Sequence, residues 1–140
     1  MKVSQLAKRL NVAPDTVRFY TRIGLILPKV NVQNGYKEYS NLDLQRLNFI
    51  FSARQLGFSV KDIEKILAEA DSGRSSCPIV RDLVEKRLKE TEEKFQQMVA
   101  LRSRMRAAVK QWKEKPDMTP TSEMICHLIE EFSSHHQEEN

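Results

Sequence analysis

The pattern of apolar and polar positions predicts a mostly helical chain. Between residues 4 and 10 the apolar side chains share one face of a short helix. After a turn at 11–13, Pro14 suits the first turn of a second helix, which we expect to reach about Ile23 and to stop at Gly24. Two short helices joined by a turn of three or four residues are typical of a helix-turn-helix.

The segment 25–39 predicts a small two-stranded wing. Asn34-Gly35 favours a two-residue hairpin of type I′, because that turn needs positive φ at both central positions. The residues that flank this pair are mainly β-branched or aromatic, as strands prefer.

Two further helices follow the predicted wing. Ser40 to Asp43 form a plausible capping box for a helix over about 41–56. Ser59 to Asp62 cap a fourth helix, and residues 71–76 are the clearest loop in the chain.

A long helix is predicted from Pro78 to about Trp112, a stretch that has no glycine or further proline. Its apolar positions follow a heptad pattern with one slot taken by Arg102. The stripe consists of Val84, Leu88, Thr91, Phe95, Met98, Met105, Val109 and Trp112. We expect it to form an antiparallel coiled coil between two subunits; a helix pair within one chain is the alternative, but the N-terminal half offers no second long helix. Ser122 to about Phe132 is expected to form a short final helix.

Charge separates the two halves of the 140-residue chain. Residues 1–60 hold nine Lys or Arg against three Asp or Glu, whereas the remainder holds 14 against 16. The basic half suggests a polyanionic partner such as nucleic acid, and a solvated basic surface is the alternative. The sequence shows neither an apolar run long enough for a membrane span nor a signal peptide, so we expect a cytoplasmic protein without a membrane partner.

The second helix and the wing carry side chains that bind phosphates and base edges. Phe19 is expected to belong to the core rather than to this surface. The candidate DNA-binding residues on these two elements are Thr16, Arg18, Tyr20, Arg22, Tyr36, Lys37 and Tyr39.

Three runs of sequence, in order and in register, resemble the signatures of the MerR family of transcription regulators. They are Val17–Leu25 (VRFYTRIGL), Asn34–Ser40 (NGYKEYS) and Leu56–Ile63 (LGFSVKDI), and the resemblance covers residues 1 to about 112. Thr21 departs from the family, which usually carries Glu there, and we expect a local change in packing or pairing from it.

The resemblance implies a mechanism and partners. Members of this family bind, as homodimers, double-stranded promoter DNA whose spacer between the two RNA polymerase elements is too long. The effector-bound dimer bends and undertwists the spacer, at a cost of a few kcal/mol. By similarity, Arg18, Tyr20, Tyr36, Lys37 and Tyr39 would hold the DNA backbone, and Arg54 would add a contact from the third helix.

The C-terminal part resembles the short-tailed branch of the family, which senses zinc, cadmium, lead or mercury. About 28 residues follow Trp112, too few for a large ligand domain, and two cysteines cannot supply the four that an iron–sulfur cluster needs. In an antiparallel dimer, Cys77 of one subunit would meet Cys126 of the other, with His127 as a third ligand of a soft divalent metal ion.

The effector assignment has alternatives. Lys115 to Met118 stand where the family usually has further cysteines, which favours a mixed site such as zinc or leaves no metal at all. A redox or electrophile sensor would need only Cys77 and Cys126. Haem at Cys77-Pro78 and an effector-independent DNA-binding protein are further possibilities. We expect no enzyme, because no nucleophile–base pair or phosphate-binding glycine loop is present.

The predicted fold is therefore all-α with a small β-hairpin wing: a winged helix-turn-helix followed by a long antiparallel coiled-coil dimerisation helix. The domains expected from the sequence are a DNA-binding domain at 1–70, a linker loop at 71–77, the dimerisation helix at 78–112 and a short effector-binding tail at 113–140.

Overall fold

A computed structural model describes the backbone of residues 1–137 and the side chains of residues 1–133. Within that range the chain forms six helices and one antiparallel hairpin, which confirms the helical fold with a small wing. The elements are α1 (Val3–Leu10), α2 (Pro14–Arg22), β1 (Lys29–Val30), β2 (Lys37–Glu38), α3 (Asn41–Gln55), α4 (Val60–Asp71), α5 (Cys77–Trp112) and α6 (His127–Gln137).

The chain divides into two compact units, Met1–Lys89 and Glu90–Asn140. In the first unit, each helix buries one apolar face in a shared core. The largest fully buried side chains of this core are Leu6, Val17, Ile26, Leu47, Ile50, Ile63 and Ile66. Leu83, near the start of α5, also belongs to it. The first unit therefore extends into the long helix.

The turn between α1 and α2 is set by backbone geometry. Asn11 adopts a left-handed conformation with φ 56°, which ends α1 and is a conformation that asparagine tolerates well. The amide of Val12 then donates to the Ala7 carbonyl at 3.0 Å, and Pro14 opens α2. The predicted helix-turn-helix is present.

Both predicted capping boxes form. Ser40 Oγ accepts from the Asp43 amide at 3.2 Å, and Asp43 Oδ2 accepts from the Ser40 amide at 2.9 Å. Ser59 and Asp62 make the same reciprocal pair at the start of α4, at 3.1 and 2.9 Å. Each box satisfies amide groups that a helix start would otherwise leave without partners.

The wing turn differs from the type I′ prediction. Gly35 has φ 73°, whereas Asn34 has no positive φ, and Gly35 donates to the Asn31 carbonyl at 2.8 Å across a wider loop. The cause is side-chain hydrogen bonding: Asn31 Oδ1 accepts from the amides of Gln33 and Asn34, and Asn34 Oδ1 accepts from the Tyr36 amide. These bonds stabilise the wider loop.

The final helix begins five residues later than predicted, at His127 instead of Ser122. The carboxylate of Glu130 accepts hydrogen bonds from the amides of Ile125 and Cys126, at 3.2 and 2.8 Å. Glu130 thereby fixes the helix start immediately after Cys126. Residues 138–140 of the predicted tail lie outside the residues described.

Helix α4 is held to α5 by a buried ion pair. Arg87 donates to both carboxylate oxygens of Asp62, at 2.8 and 3.2 Å, and the Asp62 side chain is 4% exposed. Burial alone would raise the pKa of Asp62, but hydrogen bonds from Ser59 and Arg87 outweigh it and lower that pKa below its ordinary value of 3.8.

Replacing Asp62 by Asn should lower the free energy of unfolding at pH 7 by about 1.5–3 kcal/mol, since a charged hydrogen-bonded group is lost and Arg87 loses its buried acceptor. A lowered pKa contributes stability that is fully present above pH 3.8 and disappears as the pH falls through the folded value. The difference between wild type and variant should therefore shrink below that pH, as measured by urea unfolding at fixed protein concentration.

Glu69→Gln is the matched control. Glu69 pairs with Arg74 on the surface, where water screens the pair, so its loss should change stability much less. Equal losses for Asp62→Asn and Glu69→Gln would contradict a structural role for the α4–α5 ion pair.

Candidate nucleic-acid interface and effector tail

A groove of about 700 Å³ opens between the start of α1, the outer face of α2 and the wing. It combines cationic side chains, hydroxyl groups and one exposed aromatic ring. The residues that line it are Lys2, Val3, Ser4, Arg18, Thr21, Arg22, Gly35, Tyr36, Lys37 and Tyr39. Five of the eight predicted DNA-binding residues are therefore brought together on one surface.

The cations of the groove come from all three elements. Arg18 and Arg22 extend from α2, Lys37 from β2 and Lys2 from the residue before α1. Arg18 contacts Asp15 at 2.9 Å, but both side chains are largely exposed, so water screens the pair and a phosphate can compete with it. The groove thus presents several donors to an extended anion.

Sequence analysis did not predict Lys2 and Ser4 as part of this surface. The Lys2 ammonium group lies 5.9 Å from the centre of the Tyr36 ring, within the range of a cation–π contact. This contact joins the start of α1 to the wing tip. The basic residue directly before α1 was a local signal, but only the fold shows that it faces the wing.

The base of the groove holds a hydrogen-bonded pair. The hydroxyl groups of Thr21 and Tyr39 are 2.7 Å apart, and Thr21 Oγ1 also donates to the Val17 carbonyl at 2.9 Å. Tyr39 is 3% exposed. Thr21, the residue that departs from the family pattern, therefore forms a side-chain hydrogen bond that links α2 to Tyr39 at the end of the wing.

The structure corrects the expected orientations of two neighbouring aromatic residues on α2. Phe19 is 37% exposed, with the Arg22 guanidinium 5.6 Å from its ring centre, whereas Tyr20 is 7% exposed. The ring of Tyr20 packs against Phe51 of α3 at 5.9 Å. The core face of α2 runs through Val17 and Tyr20, three residues apart, so the expectation that Phe19 is core was wrong.

Two other predicted residues also lie off the groove. Arg54 donates to the Phe58 carbonyl at 3.0 Å, across the turn after α3, and Thr16 is half-buried in the first turns of α2. Their DNA contacts, like that of buried Tyr20, stay predictions.

In the second unit, His127 is buried and hydrogen-bonded. Its Nε2 lies 2.9 Å from the Pro116 carbonyl oxygen, which can only accept, so Nε2 carries the proton. Nδ1 lies 3.7 Å from Glu131, which Lys115 contacts at 2.7 Å. The hydrogen bond from Lys115 lowers the pKa of Glu131 below its usual range. Nδ1, near Glu131, is therefore the ring nitrogen whose lone pair could bind a metal ion.

The two cysteines belong to different compact units. Cys77 is exposed at the start of α5, and Cys126 is half-buried immediately before α6. Among the residues that the structure describes, no group of three or more His, Cys, Asp or Glu side chains could hold one metal ion. The donor types nevertheless fit a soft divalent ion, because two thiolates and one imidazole are preferred ligands of such ions.

The heptad stripe on α5 is exposed in the single chain. Phe95, Met98, Met105 and Val109 each expose more than half of their surface, at 63, 63, 57 and 55%. At the end of the helix, Trp112 packs edge-on against Phe132, with ring centres 6.0 Å apart. In the part of the chain that the structure describes, no helix has the length and apolar character required to cross a membrane.

Comparison with known families gives two matches. A family model described as "MerR HTH family regulatory protein" matches residues 1–70, and one described as "MerR, DNA binding" matches residues 44–108. Together they extend from α1 through most of α5.

Similar curated proteins are transcription regulators. HTH-type transcriptional regulator ZntR of Escherichia coli K12 is 31% identical over 130 residues, which cover 92% of this chain and 89% of that protein. A protein from Haemophilus influenzae, named as a probable heavy metal-dependent transcriptional regulator, is 34% identical over 98 residues, 70% of this chain and 77% of its own.

Solved structures with the same fold include two informative cases. EcmrR, in a DNA complex from an EcmrR-RPo assembly studied by cryo-EM, is 28% identical with a TM-score of 0.65 over 82% of this chain. This chain spans only 40% of the EcmrR chain. PbrR691 from Ralstonia metallidurans CH34, in complex with lead(II), has a TM-score of 0.71 and 24% identity, covering 93% of this chain and 98% of that one.

Proposed function

We propose that this chain, which belongs to the MerR family of helix-turn-helix transcription regulators, is a homodimeric promoter-binding regulator that responds to a soft divalent metal ion. The groove between α1, α2 and the wing is the observation that carries the DNA-binding part of the proposal. The chain's relatives are transcription regulators and not enzymes.

The groove suits the sugar–phosphate backbone of duplex DNA. Arg18 and Arg22 on α2 line the groove together with Tyr36 and Lys37 on the wing, so a phosphate strand in it would meet donors from both elements. Phosphate contacts give affinity and orientation, while α2 is the element positioned to read base edges.

We propose that the apolar heptad stripe on α5 packs against a second copy of the chain. A helix of 36 residues with large apolar side chains exposed at heptad spacing is unfavourable in water. Antiparallel pairing would bury the stripes of both copies. It would also present two grooves to DNA, as an inverted-repeat site requires.

Promoter distortion is the proposed mechanism of activation. A dimer with one groove at each end holds the DNA backbone at two places, so a change in their relative position would bend or untwist the spacer between them. The structural neighbour EcmrR is bound to DNA in an assembly named RPo, which supports RNA polymerase as a partner. Shortening the spacer to the length that polymerase prefers should make transcription independent of the protein.

The proposed effector site joins Cys77 of one subunit to Cys126 and His127 of the other. His127 would bind through Nδ1, since the Pro116 carbonyl occupies Nε2. A set of two thiolates and one imidazole favours zinc or cadmium, lead or mercury over hard ions. The Haemophilus influenzae relative named as heavy metal-dependent supports this class of effector.

A thiol-based sensor is the second candidate. The exposure of Cys77 favours it, because an accessible thiol can be oxidised or alkylated without any further ligand. Such a sensor would use a disulfide between Cys77 and Cys126 of opposing subunits, or an adduct on either thiol.

DNA binding can be tested with two groove variants and a matched control. Arg18→Ala and Lys2→Ala should each weaken binding about five- to tenfold and reduce the slope of log affinity against log salt by about one. Lys8→Ala removes an equal charge from α1 outside the groove and should have little effect. The ligand is a duplex selected from a randomised library by the wild-type protein, with affinity measured by fluorescence anisotropy. If Lys8→Ala weakened DNA binding as much as Lys2→Ala does, the assignment of the groove would be contradicted.

The effector site can be tested by anaerobic titration of the reduced protein with Zn(II), Cd(II), Pb(II) and Hg(II). Cys77→Ser should abolish tight binding and metal-dependent transcription while DNA affinity stays unchanged. Ser76→Ala, one residue away, is the control. Tight metal binding by Cys77→Ser would exclude this site. If the wild-type protein binds none of the four ions, the thiol sensor becomes the better proposal, and mass spectrometry after mild oxidation would detect its disulfide.

A further inference from the structure

We propose that Thr21 is a positioning residue for DNA binding. Its hydroxyl group accepts a hydrogen bond from Tyr39 and thereby holds the wing against α2 at the separation that DNA requires. In this role Tyr39 positions the wing and does not itself donate to a phosphate. The inference rests on the proposed DNA-binding function and deepens it.

We assign the direction of the hydrogen bond by counting protons. The Thr21 hydroxyl has one proton, and the Val17 carbonyl oxygen at 2.9 Å, an atom that can only accept, is an acceptor for it. With that proton given to Val17, the 2.7 Å contact between the two hydroxyl groups has Tyr39 as the donor and Thr21 Oγ1 as the acceptor, which is the arrangement that the proposal adopts. The bond depends on the acceptor oxygen of residue 21.

Tyr39 joins three parts of the first unit. It follows β2 directly, and the next residue, Ser40, caps α3. Its amide donates to the Met1 carbonyl oxygen at 2.7 Å, its ring is buried in the core, and its hydroxyl reaches α2. At this one residue the wing is thus tied to α2 and to the segment that precedes α1.

The wing itself offers little to hold its orientation. Its strands have two residues each, paired as Lys29 with Glu38 and Val30 with Lys37, and all four are exposed. A hairpin this short is at best marginally stable without packing. Besides the exposed Lys2–Tyr36 contact, its direction relative to α2 depends on contacts at its base, where the Thr21–Tyr39 bond lies.

The Thr21–Tyr39 hydrogen bond joins two residues that line the groove. Thr21 and Tyr39 line the groove together with Arg18 and Arg22 of α2 and with Tyr36 and Lys37 of the wing. The separation of those two sets of donors determines whether one phosphate strand can meet both. Loss of the bond should cost affinity by leaving the wing free to move away from α2.

If Tyr39 contacted DNA directly, removing the Thr21 hydroxyl would have the opposite effect on DNA affinity. Phosphate oxygens only accept hydrogen bonds, and in the proposed arrangement the single hydroxyl proton of Tyr39 goes to Thr21. If Tyr39 bound a phosphate, removing the Thr21 acceptor would release that proton and leave binding unchanged or stronger. If Tyr39 positions the wing, removing the acceptor would weaken binding.

The test compares Thr21→Val, Thr21→Ser, Tyr39→Phe and the Thr21→Val/Tyr39→Phe double variant, using the library-selected duplex. Thr21→Val and Tyr39→Phe should each weaken binding about fivefold, as expected for one hydrogen bond. The double variant should be no weaker than either single variant, because both remove the same bond. Thr21→Ser retains the acceptor and should bind within about twofold of wild type.

Hydrogen exchange of the free proteins separates positioning from a general loss of folding. Exchange in the wing segment 28–39 should rise in Thr21→Val and Tyr39→Phe, stay at the wild-type level in Thr21→Ser, and remain unchanged in α4 for all variants. Faster exchange throughout the first unit would instead show that the variants destabilise the fold, which would overturn the positioning role.

Two further outcomes would overturn the inference while leaving the proposed function intact. In the first, Thr21→Val binds DNA as tightly as wild type or more tightly, whereas Tyr39→Phe binds more weakly. That result would make Tyr39 a direct DNA contact. The other is unchanged affinity in every variant while Arg18→Ala weakens binding. Failure of the wild-type protein to prefer any duplex would overturn the proposed function itself, and the role of Thr21 with it.

Discussion

Burial of one apolar face from each helix of the first unit is the constraint on which the proposed DNA-binding surface depends. Helix α2 shows this most directly, because Val17 and Tyr20 are in the core while Arg18 and Arg22, one and two positions later, line the groove. With the core face fixed, the direction of the basic face follows from helical geometry. The same packing brings the start of α1 beside the wing, although the two are more than 30 residues apart in the chain.

Polar contacts then fix the orientation and register of elements that apolar packing alone leaves undetermined. Apolar packing has little directional preference, whereas hydrogen bonds and ion pairs fix angles and register. Asp62 makes both kinds of contact, since it caps α4 through hydrogen bonds with Ser59 and forms an ion pair with Arg87 of α5. Tyr39 performs a comparable task for the wing, whose short strands have too few contacts of their own. The surface that we assign to DNA therefore depends on a small number of buried polar groups.

The C-terminal tail, to which we assign part of the effector site, is built on different chemistry. Lys115, Glu131 and His127 hold the tail loop to α6 through charge and hydrogen bonds, and Trp112 packs against Phe132. Cys126 lies within this arrangement, with its amide held by Glu130. A thiol in such a position could take part in the response to a metal ion or an oxidant that we propose.

The sequence by itself determined the features that arise from local interactions. Apolar periodicity, Pro14, the serine caps and the heptad stripe predicted the helices and their order, and three motif runs indicated the family. Only the tertiary structure decided which face of α2 is buried, and it reversed the expected places of Phe19 and Tyr20. It also decided the wing turn, through side-chain bonds of Asn31, and the start of α6, through Glu130. Lys2 in the groove and the Thr21–Tyr39 bond depend on residues distant in the chain, and sequence periodicity carries no record of which distant side chains meet.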